Sequence, residues 1–201
     1  MPFSQLAQFF STYQPRVKNP TNMVRAAVLC PLFIEDDTLR ILFIKRSQTV
    51  RAHRGEISFP GGVKESEDRS LVQTCLRETE EEIGIRAGEI TVLGALDEVN
   101  TTTGFLVSPY VGIIPPPTRL TLSRDEVESV IIASIAELYQ PENQIEFYYF
   151  NGRTLYPMTA YRHRDQIIWG ATARVLSRLL ELGRSHNLFA GAAHPGFHLA
   201  S

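Results

Sequence analysis

Basic residues are not in excess in this 201-residue chain, cysteines number two, tryptophan occurs once, and no apolar run approaches the length of a bilayer span. Each scarcity excludes a class. A formal net charge of -2 and a pI near 6.2 leave no surplus of Lys and Arg to neutralise a phosphate backbone, so nucleic acid is not an expected partner. Without a run of about 20 apolar residues, no membrane-spanning helix is expected. The opening MPFSQLAQFFSTYQPRVKNP has no basic residue ahead of its short apolar patch, unlike a secretory signal. Cys30 and Cys75 lack His or Cys neighbours at zinc-ligand spacing, so two reduced, buried thiols and a cytoplasmic setting are expected. A small-molecule substrate fits this balance, and nothing in the sequence speaks to oligomeric state.

What the chain does have is 43% hydrophobic residues, enough for the core of one domain. Residues 3–12 have the spacing of a short helix, cut off by Pro15 and Pro20, and 1–20 is read as an N-terminal helical extension. Residues 23–34 and 40–46 are rich in Val, Ile, Leu and Phe and flank Glu35-Asp36-Asp37-Thr38, so a hairpin of buried strands is expected. A basic loop from Arg46 to Gly55 leads to a short extended piece at Ile57-Ser58-Phe59, which a turn at Pro60-Gly61-Gly62 should stop. Beyond Asp68, Val72, Cys75, Leu76, Thr79 and Ile83 trace one helical stripe, and Gly84 supplies a C-cap. Extended segments recur near 89–98, 106–114, 128–134, 146–151 and 155–162, with a hairpin signal at Asn151-Gly152. Ala171, Val175, Leu176, Leu179, Leu180 and Leu182 give a last amphipathic helix ending at Gly183, with Trp169 expected in the core. The fold class is α/β of the α+β type, a mixed sheet with helices packed on it, in one domain over 21–190 followed by a flexible tail at 191–201.

The segment Arg77-Glu78-Thr79-Glu80-Glu81-Glu82-Ile83-Gly84 carries the chemistry. At about 100° per residue, Glu78 and Glu82 lie about 40° apart and Glu81 about 60° to the other side of Glu78, while Glu80 points elsewhere. Three carboxylates then share a face set clear of the apolar stripe. They repel one another and sit at the helix end where the macrodipole disfavours anions. An acidic run is most often just a solvated helix face. Here Phe59-Pro60-Gly61-Gly62 before the helix and Gly84 after it give backbone freedom where a phosphate chain could approach. A divalent cation would resolve the repulsion, since hard oxygen donors suit Mg²⁺ or Mn²⁺. Arg77 can pair with Glu81, four residues on.

The stretch GGVKESEDRSLVQTCLRETEEEIGI resembles the Nudix box. Arg77, Glu78, Glu81, Glu82, Gly84 and Ile85 match its second half, with Thr79 at a usually apolar position. In the first half the box glycine would fall on Val63 and its first glutamate on Arg69, whereas Gly61, Gly62 and Asp68 are the residues present. One extra residue lies between turn and helix, and no role carries over to that first glutamate. Upstream, LFIKRSQTVRAHRGEISFPGG resembles the signature of the coenzyme A pyrophosphatase subfamily: Leu42, Arg46, Ser47, Arg51, Gly55, Phe59, Pro60, Gly61 and Gly62 match in spacing, while Phe43 and Ile44 depart from it. That subfamily's box has the longer first half and an Asp where Asp68 stands.

The resemblance implies a Nudix fold, an α-β-α sandwich with a catalytic loop-helix-loop on a mixed sheet. It implies metal-dependent hydrolysis of the diphosphate of coenzyme A, or of its derivatives, to 4′-phosphopantetheine and adenosine 3′,5′-bisphosphate. Glu78, Glu82 and Glu81 would hold Mg²⁺ or Mn²⁺, with Arg77 beside them. Glu81 is the helix candidate for general base, and Glu98, Asp125, Glu126 and Glu128 are loop alternatives. Arg46, Arg51, Phe59, Gly61 and Gly62 are the residues expected at the substrate. Two other readings stand beside this one: a Nudix hydrolase for ADP-ribose, NADH or a dinucleotide, and a non-catalytic ligand-binding module on the same fold.

Overall fold

The computed structural model describes residues 3–20, 22–48, 55–150 and 152–189. Strands β1 (Val24–Glu35) and β2 (Thr38–Arg46) form the expected hairpin. Its turn places both Asp36 and Asp37 at positive φ, the geometry of the two-residue hairpin whose twist matches its strands. The two strands are buried on both faces, which is why they read as continuous apolar runs rather than as an alternation. Ala27, Leu29 and Phe33 of β1 and Leu42 and Ile44 of β2 enter one core. Cys30 and Leu32 of β1 and Leu39, Ile41 and Phe43 of β2 enter the other.

Around this hairpin lies an eight-stranded mixed sheet. Its spine runs β3 (Ile57–Ser58), β2, β1, β7 (Phe105–Ile113) and β5 (Thr91–Ala95). β4 (Gly61–Val63) adds to β1, β6 (Val99–Asn100) to β7 and β8 (Val127–Ser134) to β2. β1 and β7 are parallel, and every other pairing in this sheet is antiparallel. Helix α2 (Leu71–Ile83) covers one face through Cys75 and Ile83, while α1 (Ser4–Thr12) and α4 (Gly170–Ser185) cover the other. The short helix α3 (Ile135–Leu138) leads into a separate antiparallel sheet of β9 (Gln144–Phe150), β10 (Leu155–His163) and β11 (Gln166–Ile168). Among the described residues, no helix is long and apolar enough to cross a membrane.

Several expectations need correction. Gly61 and Gly62 do not stop the chain in a turn. They continue as β4, paired antiparallel with Val28 and Ala27 of β1. Gly61 adopts φ +150°, and a Cβ there would run into the Ala27 carbonyl and Val28, so the strand can lie this close only without side chains. The N-terminal extension carries its expected helix as α1 and also joins the core, since Leu6 and Phe10 are buried there and Phe10 packs over Gly94. Helix α4 runs past Gly183 to Ser185; the Phe189 ring occupies the space a Cβ at Gly183 would need. Trp169 is 45% exposed, because it stands in extended backbone at the N-cap of α4 rather than within the helix. Asn151 and the tail from 190 onward lie outside the described residues.

Candidate active site

Helix α2 is built to hold its last two turns rigid. Ser70 caps its start by accepting the Gln73 N–H at 3.2 Å, and Gly84 closes it in the left-handed region at φ 77°. The carbonyls at its C-terminal end have no helical partner and must be met from outside. Residues after β7 meet them: Thr121 N–H donates to the Ile83 carbonyl at 3.1 Å and Ser123 N–H to the Glu82 carbonyl at 3.0 Å. The chain then turns through Ser123, whose carbonyl accepts from Glu126 N–H at 3.0 Å, while the Glu126 carbonyl accepts from Ser47 N–H at 2.8 Å. Satisfying a helix end thereby delivers Glu126 to the carboxylates of α2.

Glu78, Glu82 and Glu126 each place a carboxylate oxygen within 4.8 Å of the others. They differ in depth. Glu82 is 1% exposed, Glu78 half-buried and Glu126 exposed. The helical-wheel expectation that Glu78, Glu81 and Glu82 all stand clear of the core therefore fails for Glu82. The strand β4 and the neck of the 46–56 loop close over it: Gly61 N–H donates to Glu82 Oε2 at 2.9 Å, and Arg46 Nη1 lies 3.5 Å from Oε1. Burial pushes the Glu82 carboxyl up to about 8, a rise that the Gly61 N–H and Arg46 oppose without cancelling. Burial also raises Glu78, against the nearby Arg77.

Glu81, expected with the other helix acids, turns outward and pairs with Arg77 at 2.9 Å, its side chain 56% exposed. Glu80 also lies apart, accepting the Ala87 N–H at 3.3 Å. Arg77 is the hub on this side. It reaches both Asp68 oxygens at 3.2 Å, the Val63 carbonyl at 3.2 Å and Glu78 at 3.0 Å. Asp68 is buried, accepts Thr74 Oγ1 at 2.9 Å and Glu65 N–H at 3.0 Å, and is lowered to about 2, chiefly by Arg77. The extra residue before the helix thus has a structural outcome. The turn from Glu65 brings Asp68 onto the arginine that fixes Glu78 and Glu81, so the shorter acid, one place early, orients the site from behind.

Of the residues expected at the substrate, Arg46 reaches the carboxylates, Gly61 and Gly62 lie directly beneath them, and Arg51 lies outside the described residues. Phe59 is corrected. It is 2% exposed and stacks on Phe43 with ring centroids 4.7 Å apart, because it is the inward residue that anchors the chain between β3 and β4. Among the loop acids, Glu98 is spent on Arg25 at 2.5 Å, Ser108 at 2.7 Å and Lys18 N–H at 2.7 Å, and Glu128 pairs with Lys45 at 2.7 Å. Glu126 is the loop acid that joins the group. Only its position three residues after Ser123 and one before a strand could have signalled this, and that signal is local and weak.

Gly62 offers a direct probe of the site's closeness. A Cβ there would overlap the Glu78 carboxylate, so Gly62→Ala should swing Glu78 out of the group. We expect Mn²⁺ affinity to fall about tenfold or more with little change in melting temperature. Titration of Mn²⁺ by calorimetry checks this, and wild-type affinity in the variant would refute it.

Hard oxygen donors of graded burial, one of them carrying a carboxyl held far above its ordinary range, make a set that suits a divalent cation. The comparisons with known proteins agree with the architecture. The NUDIX domain family matches residues 23–150. A Citrobacter koseri protein named "Uncharacterized Nudix hydrolase NudL" is 36% identical over 194 residues, covering 89% of this chain and 95% of its own. A protein of the same name from Photorhabdus laumondii is 31% identical over 181 residues, covering 88% and 96%. The crystal structure of a MutT/nudix family protein from Enterococcus faecalis superposes with a TM-score of 0.53 at 17% identity, covering 89% of this chain and 68% of that one. Box, fold and relatives converge: the chain belongs to the Nudix hydrolase family.

Proposed function

We propose that this Nudix hydrolase cleaves the diphosphate bridge of coenzyme A, giving 4′-phosphopantetheine and adenosine 3′,5′-bisphosphate. Hydrolysis of a nucleoside diphosphate derivative follows from the family; the choice of coenzyme A is our own reading. The observation that carries it is Arg46. The segment from Leu42 to Gly62, which has the residue spacing of the subfamily signature, brings this arginine to 3.5 Å from Glu82. The first basic residue of that loop thus stands at the carboxylates, where a substrate with a diphosphate and a further phosphate requires positive charge.

In this reading Glu78 and Glu82 hold Mg²⁺ or Mn²⁺ with Glu126 as the third acid of the group. A divalent ion supplies charge neutralisation at the phosphate oxygens and lowers the pKa of a bound water. Glu126, the exposed member, accepts the proton of the attacking water. Arg77, held by Asp68, fixes Glu78 from behind and occupies Glu81, which we assign to that pair rather than to the ion or the base. Arg46 and Arg51 engage substrate phosphates, and the bare backbone of Gly61 and Gly62 lets the chain approach. Both cysteines are free and buried, which supports a reducing, cytoplasmic setting.

Turnover of coenzyme A, ADP-ribose and NADH, measured side by side with Mg²⁺ and with Mn²⁺, tests the proposal. We expect kcat/KM for coenzyme A to exceed the others by about a hundredfold, the discrimination a phosphate-specific arginine pair can supply. A higher value for ADP-ribose or NADH would overturn the substrate assignment and leave the hydrolase. No turnover of any of the three would favour a ligand-binding module.

A further inference from the structure

Among the described residues, the two arginines of the site, Arg46 and Arg77, are held in contrasting ways. Arg77 spends its Nε and both terminal nitrogens on named acceptors. Arg46 does not. Among the described residues its one acid contact is the 3.5 Å approach to Glu82 Oε1, longer than the 2.7–2.9 Å of a well-made charge-assisted hydrogen bond. Its buried Nε has no hydrogen-bond partner among the described residues. A guanidinium with an unspent buried donor is incompletely satisfied where it stands.

Its backbone, by contrast, is pinned. Arg46 N–H donates to the Glu56 carbonyl at 2.9 Å and its carbonyl accepts from Gly55 N–H at 3.1 Å, beside a register shift between Lys45 and Arg46 in the β2–β8 pairing. Any rearrangement is therefore of the side chain about a fixed base. Glu82 is similarly divided: Oε2 is committed to Gly61 N–H, and Oε1 faces the guanidinium. A cation bound among Glu78, Glu82 and Glu126 would compete with Arg46 for that charge.

We propose that Arg46 is a stand-in partner for Glu82, occupying its free oxygen while the site lacks its ion and released toward the substrate's phosphates when the ion binds. This rests on the metal reading of Glu78, Glu82 and Glu126. The physical logic is competition for one oxygen in a buried place. Oε1 is the Glu82 oxygen not taken by Gly61 N–H, and two positive groups competing for it cannot both be at full advantage. Arg46 thus weakens ion binding in the free enzyme and strengthens substrate binding once the ion is present. By linkage, ion and diphosphate then bind with positive cooperativity, each raising the other's affinity by the same factor.

Calorimetric titration of Mn²⁺ into metal-stripped protein without substrate gives the first readout. Arg46→Met should bind Mn²⁺ about tenfold more tightly than wild type, whereas Arg46→Lys should stay close to it. Adding methylenediphosphonate should tighten Mn²⁺ binding in wild type and do so much less in Arg46→Met. A residue that merely supports the fold or positions a ligand would weaken Mn²⁺ on removal, so unchanged or weaker binding in Arg46→Met overturns the proposal. If that variant does not fold, wild-type protein answers through arginine-selective labelling with phenylglyoxal, read by mass spectrometry. Mn²⁺ should speed modification of Arg46, and methylenediphosphonate added with it should protect the residue; equal rates with and without Mn²⁺ refute the release. Glu82→Gln separates the two ideas. Mn²⁺ binding there at wild-type strength removes the metal reading itself, and this proposal with it.

Discussion

Replacing Glu82 with Gln should lower metal-dependent turnover by about a thousandfold while leaving the metal-free protein at least as stable as wild type. The two halves have one cause. Glu82 is 1% exposed, and its burial makes the ionised form costly. An amide has the same shape, keeps an oxygen for the Gly61 N–H and carries no charge to desolvate. It also gives a divalent ion a far poorer donor. Turnover with saturating Mg²⁺ measures the first effect, and thermal melts in chelator measure the second. A variant that kept a tenth of wild-type activity would remove Glu82 from the metal site. One that lost activity because it melted some ten degrees lower would make Glu82 a fold residue instead.

Much of this arrangement was legible in the primary structure, and the illegible parts share a physical reason. The β1–β2 hairpin and α2 could be read because their signals are local: apolar runs around Asp36-Asp37, a 3.6-residue stripe ending at Gly84. The grouping of Glu78 with Glu82 followed from helix geometry alone. Depth did not follow, because a helical wheel gives a direction and not what covers it. Arg46 and β4 close over Glu82, and both belong to other segments. The Pro60-Gly61-Gly62 triplet reads as a turn by composition, yet its glycines make a strand against β1, a choice set by tertiary closeness rather than local preference.

Two further residues show the same limit. Glu126 stands far along the chain from the helix and was one of four equivalent loop acids until the orphan carbonyls of α2 selected the loop that carries it. Trp169, apolar and at a helix start, was expected inside, and the extended N-cap backbone turns it out.

The same buried carboxylate predicts how stability follows pH. The Glu82 carboxyl is raised from an ordinary 4.5 to about 8 in the folded chain. Between those values the metal-free fold keeps a proton that the unfolded chain has released. Its contribution is therefore full below about 4.5 and is lost as pH rises through about 8. Asp68 acts in the opposite sense: lowered from 3.8 to about 2 by Arg77, it contributes above 3.8 and fails as pH falls through 2. Metal-free protein should thus be most stable in mildly acid solution and lose a few kcal/mol toward pH 8.5. Glu82→Gln, having no proton to lose at this position, should show a flatter alkaline limb, so the difference between the two profiles isolates the residue. Saturating Mg²⁺ should restore wild type at pH 8.5, because an ion that binds the ionised carboxylates stabilises only the fold, and it should restore the Gln variant much less. Urea unfolding at pH 5, 7 and 8.5, in chelator and in Mg²⁺, gives all of these terms. Parallel profiles for wild type and variant would mean that Glu82 is already ionised at neutral pH, with Arg46 alone sufficient to hold its charge.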